Sequence, residues 1–123
     1  MIPITNKTKF VFVFGSNLAG RHGKGAALFA KQNYGAINGR GKGLQGDSYA
    51  IPTKDINLKP LPLDAIKKSI VDFILFVNAN PNWVFILTPI GTGLAGHSKM
   101  DIWSAFQEFK MPPNVVLTSS WMN

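Results

Sequence analysis

The chain is 123 residues long, with 46% hydrophobic and 15% charged residues. This length suits one compact domain, predicted over residues 1–123, and the composition excludes disordered, collagen-like and coiled-coil proteins. The sequence contains no cysteine, which excludes disulfides, zinc–cysteine sites and a thiol nucleophile. Its longest apolar runs, such as Phe10–Phe14, are too short to span a membrane, and the N-terminus lacks the pattern of a signal peptide. We therefore expect a cytoplasmic protein with no membrane partner.

The net charge of +7 arises entirely in the first 46 residues. They contain seven lysines and arginines, no acidic residue and nine of the twelve glycines, whereas six lysines balance six acids from Asp47 onward. Basic charge beside glycine-rich backbone is typical of a binding site for an anionic ligand. A basic surface that only favours solubility explains the charge equally well.

Apolar runs and glycine clusters alternate along the first half of the chain. A short, fully apolar run predicts a strand buried on both faces, and helix formers that stop at a glycine predict a helix. A proline at the end of the second apolar run either ends that strand or lies at a sheet margin. In chain order we predict a strand at Phe10–Phe14, a loop at Gly15–Gly25, a helix at Ala26–Tyr34, a loop at Gly39–Gly46 and a strand at Tyr49–Pro52.

The second half continues the alternation. Apolar residues at three- and four-residue spacing predict a long amphipathic helix, and connections of this length favour parallel strand pairing. The fold class is therefore α/β. The predicted elements are a helix at Leu63–Val77, a strand at Trp83–Leu87, a loop at Gly91–His97, a helix at Ser98–Phe109 and a strand at Val115–Thr118.

Two glycine-rich loops, Gly15–Gly25 and Gly91–His97, each follow a predicted buried strand and precede a helix. Ligands of open parallel sheets bind beyond the carboxyl ends of the strands, and helix N-termini there offer unpaired N–H groups to phosphates. Either loop alone is also compatible with an ordinary strand–helix connection.

Standard catalytic and nucleotide motifs do not explain these loops. Gly41–Gly46 satisfies G-x-G-x-x-G, but it leads into a strand, so we interpret it as a flexible loop. His22 and His97 are the only histidines and lie in separate loops without nearby acids, so we expect no bound metal. Lys54 and Asp55, at the end of a predicted strand, form either a lysine nucleophile with a neighbouring acid or a solvated surface pair.

Taken together, the two loops resemble those of macro domains, and the closest match is to small phage-associated and bacterial macro-like proteins. The first loop is similar over Phe14-Gly15-Ser16-Asn17-Leu18-Ala19-Gly20 and Gly23-Lys24-Gly25, and the second over Thr88–Gly96. The stretch from Tyr49 to Asp55 is also shared. The resemblance covers Phe10 to Val116.

This resemblance implies a three-layer α/β/α fold with a mostly parallel sheet that binds ADP-ribose or a related nucleotide, without a cofactor. Asn17 would contact the distal ribose and belongs with Lys54 to the candidate catalytic residues. One branch of the family removes ADP-ribose from acidic side chains with a lysine, which Lys54 matches, and with an aspartate. The implied ligand-binding residues are Gly15, Ser16, Asn17, Leu18, Gly20, Gly23, Lys24 and Gly25 in the first loop, and Gly91, Thr92, Gly93, Leu94, Ala95 and Gly96 around the diphosphate.

Two departures from the family weaken these implications. Ala95 stands where the hydrolytic branch has its aspartate, which leaves Asp55 or His97 as the remaining acid/base groups. The strands and the adenine-binding aspartate that open the family pattern have no counterpart before Phe10. The leading hypothesis is a nucleotide-binding domain with weak ADP-ribosyl hydrolase activity at most. The alternative is a basic module that binds nucleic acid or a host factor without catalysis, with weak, sequence-independent nucleic-acid binding.

Overall fold

The structure is a computed structural model that describes residues 3–122. It alternates strands and helices along the chain, as the sequence predicts. The elements are β1 (Phe10–Asn17), α1 (Gly25–Asn33), β2 (Gly43–Gln45), β3 (Ser48–Lys54), α2 (Leu63–Asn78), β4 (Val84–Leu87), α3 (Lys99–Gln107), β5 (Val115–Leu117) and a terminal 3₁₀ turn, Ser119–Met122.

The five strands form one sheet in the order β2-β3-β1-β4-β5. β1 pairs in parallel with β3 on one side and with β4 on the other, and β4 pairs in parallel with β5. Only β2 is antiparallel, to β3. The predicted α/β class with a mostly parallel sheet is confirmed.

Helices cover both faces of this sheet. Side chains alternate between the two faces along β1. Phe12 and Phe14 pack with Ala27 and Ala30 of α1. Val11 and Val13 point to the opposite face and belong to the larger core, with α2 and α3. Because β1 is covered on both sides, its sequence is apolar without alternation. The three-layer α/β/α arrangement is therefore confirmed.

Helix α2 provides the largest part of the second layer. Ile66, Ile70 and Phe73 are fully buried, and the ring of Phe73 meets that of Tyr49 edge-on at 5.2 Å. The apolar spacing that predicts this helix thus describes its buried face. Among residues 3–122, no helix is long and apolar enough to cross a membrane.

The central strand is longer than its apolar run predicts. Gly15, Ser16 and Asn17 belong to β1, where they pair with Ile51, Pro52 and Lys54 of β3, with an irregularity between Ser16 and Asn17. Assigning these three residues to the loop was wrong. The apolar pattern ends at Phe14 because the sheet edge beyond it carries polar and small residues, although the backbone pairing continues.

One further expectation about the sheet needs correction, and the two alternatives for Pro52 are decided. The segment interpreted as a flexible loop contains β2, which pairs with residues 48–50 of β3. Pro52 does not end its strand but lies within β3. Because β2 reaches only to Ala50, Pro52 lies beyond that partner, at a margin where a missing N–H is tolerated.

Candidate functional site

The candidate site lies where the chain leaves the sheet in opposite directions from two neighbouring strands. After β1 the chain turns to α1 on one face, and after β4 it turns to α3 on the other. In open α/β sheets a crevice forms outside the carboxyl ends of the strands at such a switch point. Residues 18–24 and 88–98, the loops that the structure has in place of the predicted Gly15–Gly25 and Gly91–His97, flank this switch point.

The ends of three adjacent strands meet there. A Cβ added to Gly15 would lie 3.0 Å from the backbone N of Gly91, so the end of β1 touches the loop after β4. The Thr53 hydroxyl donates to the carbonyl of Ser16 at 3.2 Å, and the Leu18 N–H donates to the carbonyl of Lys54 at 2.9 Å. The structure therefore brings both loops and the lysine-bearing end of β3 together, as the sequence predicts.

The loop after β4 presents a run of unpaired backbone donors. It is closed by hydrogen bonds from His97 N to Gly91 O at 2.9 Å and from Gly96 N to Gly93 O at 3.0 Å. Within residues 3–122, the four successive N–H groups of residues 92–95 have no hydrogen-bond partner. Gly93 and Leu94 are exposed, whereas Ala95 is buried. Consecutive backbone N–H groups in a turn form a concavity suited to an anion.

The N-terminus of α1 is also open. Lys24 precedes the helix, its side chain makes no capping hydrogen bond in the described structure, and the first turn carries no acid. A Cβ placed on Gly23 or Gly25 would meet no described atom within 4 Å. By contrast, Ser98 caps α3 by accepting from Asp101 N at 3.0 Å. The start of α1 therefore lacks the side-chain cap that α3 has, and no capping side chain in the described structure occupies its first N–H groups.

The polar side chains at the end of β1 form hydrogen bonds within the protein. Ser16 is 2% exposed, and its hydroxyl donates to the carbonyl of Gly41. Asn17 is 6% exposed, and its carboxamide hydrogen-bonds to the backbone of Arg21. These two residues shape the first loop through their side chains, whereas Leu18 beside them is half-exposed.

A third segment, residues 37–45, packs against the first loop. Gly39 N donates to Gly20 O at 2.8 Å, and a Cβ on Gly41 would overlap the carbonyl oxygen of Asn17. The sequence interpretation of this segment as a flexible loop missed this contact. The signal was the density of glycines, which marks close backbone approach as well as flexibility.

Both histidines are held by hydrogen bonds to the protein. His22 is buried and contacts the carbonyl of Arg40 and the side chain of Gln45, while Nε2 of His97 lies 2.9 Å from the carbonyl of Leu61. In the described part of the chain, no group of three or more histidine or acidic side chains is arranged to hold a metal ion.

Comparison of this architecture with known proteins identifies the fold. No protein-family model and no curated protein matches the sequence. The macrodomain of Mycobacterium tuberculosis DarG superposes with a TM-score of 0.66 at 24% identity, over 89% of this chain and 88% of that one. The chain has a macrodomain-like fold. The macrodomain of Thermus aquaticus DarG gives a TM-score of 0.61 at 18% identity, with 87% of each chain covered.

A third structural neighbour is described only as a protein of unknown function. A Bacteroides thetaiotaomicron protein of unknown function superposes with a TM-score of 0.65 at 17% identity, over 93% of this chain and 88% of that one. The macro-domain resemblance found in the two loop motifs is thus confirmed for the fold.

Within this macrodomain-like fold, the potential acid and base groups near Lys54 have other partners. Lys54 is half-buried and forms no ion pair with any described residue. The Oδ1 atom of Asp55 accepts from Asn57 N at 2.8 Å and from Lys59 N at 2.9 Å, so this carboxylate organises its own turn. Ala95, in the loop after β4, is buried and has no polar side chain.

Proposed function

We propose that the chain binds ADP-ribose or a related nucleotide in the crevice between residues 18–24 and 88–98. The observation that carries this proposal is the run of four unpaired N–H groups at residues 92–95, next to the end of β1. A diphosphate needs several closely spaced donors, and backbone N–H groups supply them without a side chain. The macrodomain-like fold and the glycine motifs of both loops support the same ligand class.

The proposed contacts divide between the two loops. The second loop, with Gly91, Thr92, Gly93, Leu94, Ala95 and Gly96, holds the diphosphate. In the first loop, Gly23, Lys24 and Gly25 approach the distal ribose at the uncapped start of α1, where the positive end of the helix dipole also favours an anion. The remaining residues of the first loop, Gly15, Ser16, Asn17, Leu18 and Gly20, line or support the site.

Catalysis by this site would depend on Lys54. Its neutral amine would form a bond to the anomeric carbon of the ribose while the bond to the acidic side chain breaks, and the carboxylate would leave with the electron pair. Oδ1 of Asp55 is committed to its own turn and Ala95 carries no acid, so the aspartate that the resemblance implies for proton transfer is missing. We therefore infer that hydrolysis is slow or absent although the nucleotide binds.

Titration calorimetry with ADP-ribose tests the proposal. We expect a dissociation constant between micromolar and sub-millimolar, about −5 to −8 kcal/mol. Gly93→Glu should abolish binding, since it adds bulk and negative charge beside the free N–H groups. Leu75→Glu is the matched control, because it adds the same charge at a side chain that is 63% exposed on α2. Absence of binding by the unaltered chain to ADP-ribose, nucleoside diphosphates and cyclic dinucleotides would refute the proposal.

The basic residues 1–46 require a second titration, with DNA and RNA at several salt concentrations. Two of their seven cations are paired, Lys9 with Asp47 at 3.3 Å and Lys42 with Asp72 at 2.6 Å. We expect weak, sequence-independent binding that disappears between low and physiological salt. Selective binding at physiological salt that tolerates Gly93→Glu would favour the nucleic-acid module instead.

A further inference from the structure

A buried polar network joins the first loop to the segment behind it. His22, in the first loop, is 1% exposed, and Gln45, at the end of β2, is also 1% exposed. Nε2 of the histidine lies 3.0 Å from the carbonyl oxygen of Arg40 and 3.1 Å from Oε1 of Gln45. The imidazole ring meets the Phe14 ring edge-on at 5.3 Å between centroids, so the network lies on the α1 face of the sheet.

The neighbours of the network determine which ring nitrogen carries the proton. The N–H of Ile37 donates to Oε1 of Gln45 at 2.8 Å, and Nε2 of Gln45 donates to the carbonyl of Arg40 at 2.9 Å. The orientation of the carboxamide is therefore fixed, and both atoms beside Nε2 of His22 are acceptors. The histidine must donate from Nε2, so in the neutral ring Nδ1 carries no proton, and it is buried without a partner among residues 3–122.

Two further hydrogen bonds, each donated by a backbone N–H, connect the two segments. The N–H of His22 donates to Oδ1 of Asn38 at 3.1 Å, and Gly39 N donates to Gly20 O at 2.8 Å. The polar side chains thus hold the segment 37–45 in register with residues 20–22. Since residues 23 and 24 follow directly and lead into α1 at Gly25, the position of the uncapped helix start depends on this register.

We propose that His22 and Gln45 are positioning residues for the first loop, and that the Nε2–H form of His22 sets the conformation in which the loop receives a nucleotide. This inference rests on the proposed function for the ligand. It assigns the pair no contact with the nucleotide, because both side chains are buried behind the loop. Their effect on binding passes through the backbone of residues 20–25.

The unaltered chain provides the first test. Nitrogen-15 spectra of the imidazole should show His22 protonated at Nε2 and unprotonated at Nδ1 at neutral pH. Amide hydrogen exchange should show protection of His22 and Gly39, the two backbone donors that join the segments. A histidine protonated at Nδ1 alone, or unprotected amides at both positions, would overturn the proposal.

Two variants then separate positioning from general stability. Gln45→Met keeps the approximate side-chain length and removes the amide, and His22→Phe keeps a ring against Phe14 and removes the donor. We expect each variant to accelerate hydrogen exchange of the backbone amides of residues 22 and 39 at least tenfold. Each should also weaken ADP-ribose binding at least tenfold. Either variant alone gives a decision if the other fails to fold.

Val77→Ala serves as the control, since it creates a cavity at a fully buried residue of the opposite core. It should lower the melting temperature while leaving nucleotide affinity and first-loop exchange within twofold. The proposal fails if Gln45→Met or His22→Phe behaves like Val77→Ala. If the unaltered chain binds no nucleotide, the proposed function fails, but the tautomer and the exchange rates still decide whether this pair positions the loop.

Discussion

The carboxamide of Asn17 forms a closed pair of hydrogen bonds with the backbone of Arg21. Its Oδ1 accepts from the Arg21 N–H and its Nδ2 donates to the Arg21 carbonyl, both at 2.9 Å. The two polar groups of the Asn17 side chain thus pair with the backbone N–H and C=O groups of a single residue. A buried asparagine therefore fixes the first turn of the loop that leads to α1.

Asn17→Asp should disrupt this pair more than its small change in size suggests. A carboxylate can still accept from the Arg21 N–H, but its second oxygen would face the Arg21 carbonyl, and both are acceptors. We expect a loss of about 1–3 kcal/mol in the free energy of unfolding, typical of a buried polar group without its partner. Urea denaturation at neutral pH measures this change.

Asn33→Asp is the matched control for this substitution. The side chain of Asn33 also donates to a carbonyl, that of Phe29 at 3.0 Å, but the bond is exposed. We expect its cost to stay below about 1 kcal/mol, because water can replace the lost donor. Equal losses in the free energy of unfolding for the two variants would show that the buried hydrogen bonds to Arg21 stabilise the protein no more than an exposed bond does.

The sequence predicts the layers of this fold better than the detail of its site. The apolar run of β1 and the spacing of Ile66, Ile70 and Phe73 predict a buried strand and an amphipathic helix because burial is periodic in sequence. Gln45 contacts His22, which is distant in sequence, and Asn17 contacts the backbone of Arg21, which any residue type could supply. No local pattern encodes such partners.

Segment 37–45 shows the same limit. Its glycines and polar residues show no alternation of apolar and polar side chains. Hydrophobic periodicity therefore does not predict β2, even though Gln45 is 1% exposed. The macro-domain motifs, by contrast, predict the fold correctly because they record backbone requirements at fixed positions. Resemblance therefore predicts the fold, whereas the hydrogen bonds of Asn17 and Gln45 emerge only from the structure.

Gly91 and Gly93 should respond differently to alanine. Gly91 has a φ of +70°, and a Cβ there would lie 3.2 Å from Cγ2 of Thr53, whereas Gly93 has no described atom within 4 Å of its Cβ position. We expect Gly91→Ala to cost about 1–2 kcal/mol through left-handed backbone strain and close contact, and Gly93→Ala to leave stability within about 0.5 kcal/mol. Thermal unfolding of both variants checks this; comparable melting temperatures would contradict it.

Tyr49 should make the protein sensitive to alkaline pH. Burial, followed by the nearby charge of Asp72, raises the pKa of Tyr49 to about 12. Because the pKa is higher in the folded state than in the unfolded state, this stabilisation is complete below about pH 10 and is lost as the pH rises towards 12. The loss approaches about 2 to 3 kcal/mol.

Urea denaturation between pH 9 and pH 12 measures this dependence. Tyr49→Phe removes the titrating phenol, so the variant should lose less stability than the unaltered chain over the same range. Tyr34→Phe controls for the loss of a tyrosine elsewhere and should follow the unaltered chain. A pH dependence that is unchanged in Tyr49→Phe would exclude this phenol as the cause.

Lys54→Ala should remove any hydrolysis while leaving nucleotide affinity within about tenfold, 1.4 kcal/mol. The Lys54 carbonyl holds the first loop through Leu18 N at 2.9 Å, and alanine keeps that backbone bond, so the crevice should persist. The assays are release of ADP-ribose from modified acidic side chains and mass spectrometry after borohydride trapping of a lysine adduct. Lys59→Ala, in the exposed turn organised by Asp55, is the matched control and should not change either result. Undiminished hydrolysis in Lys54→Ala would place the chemistry on another group.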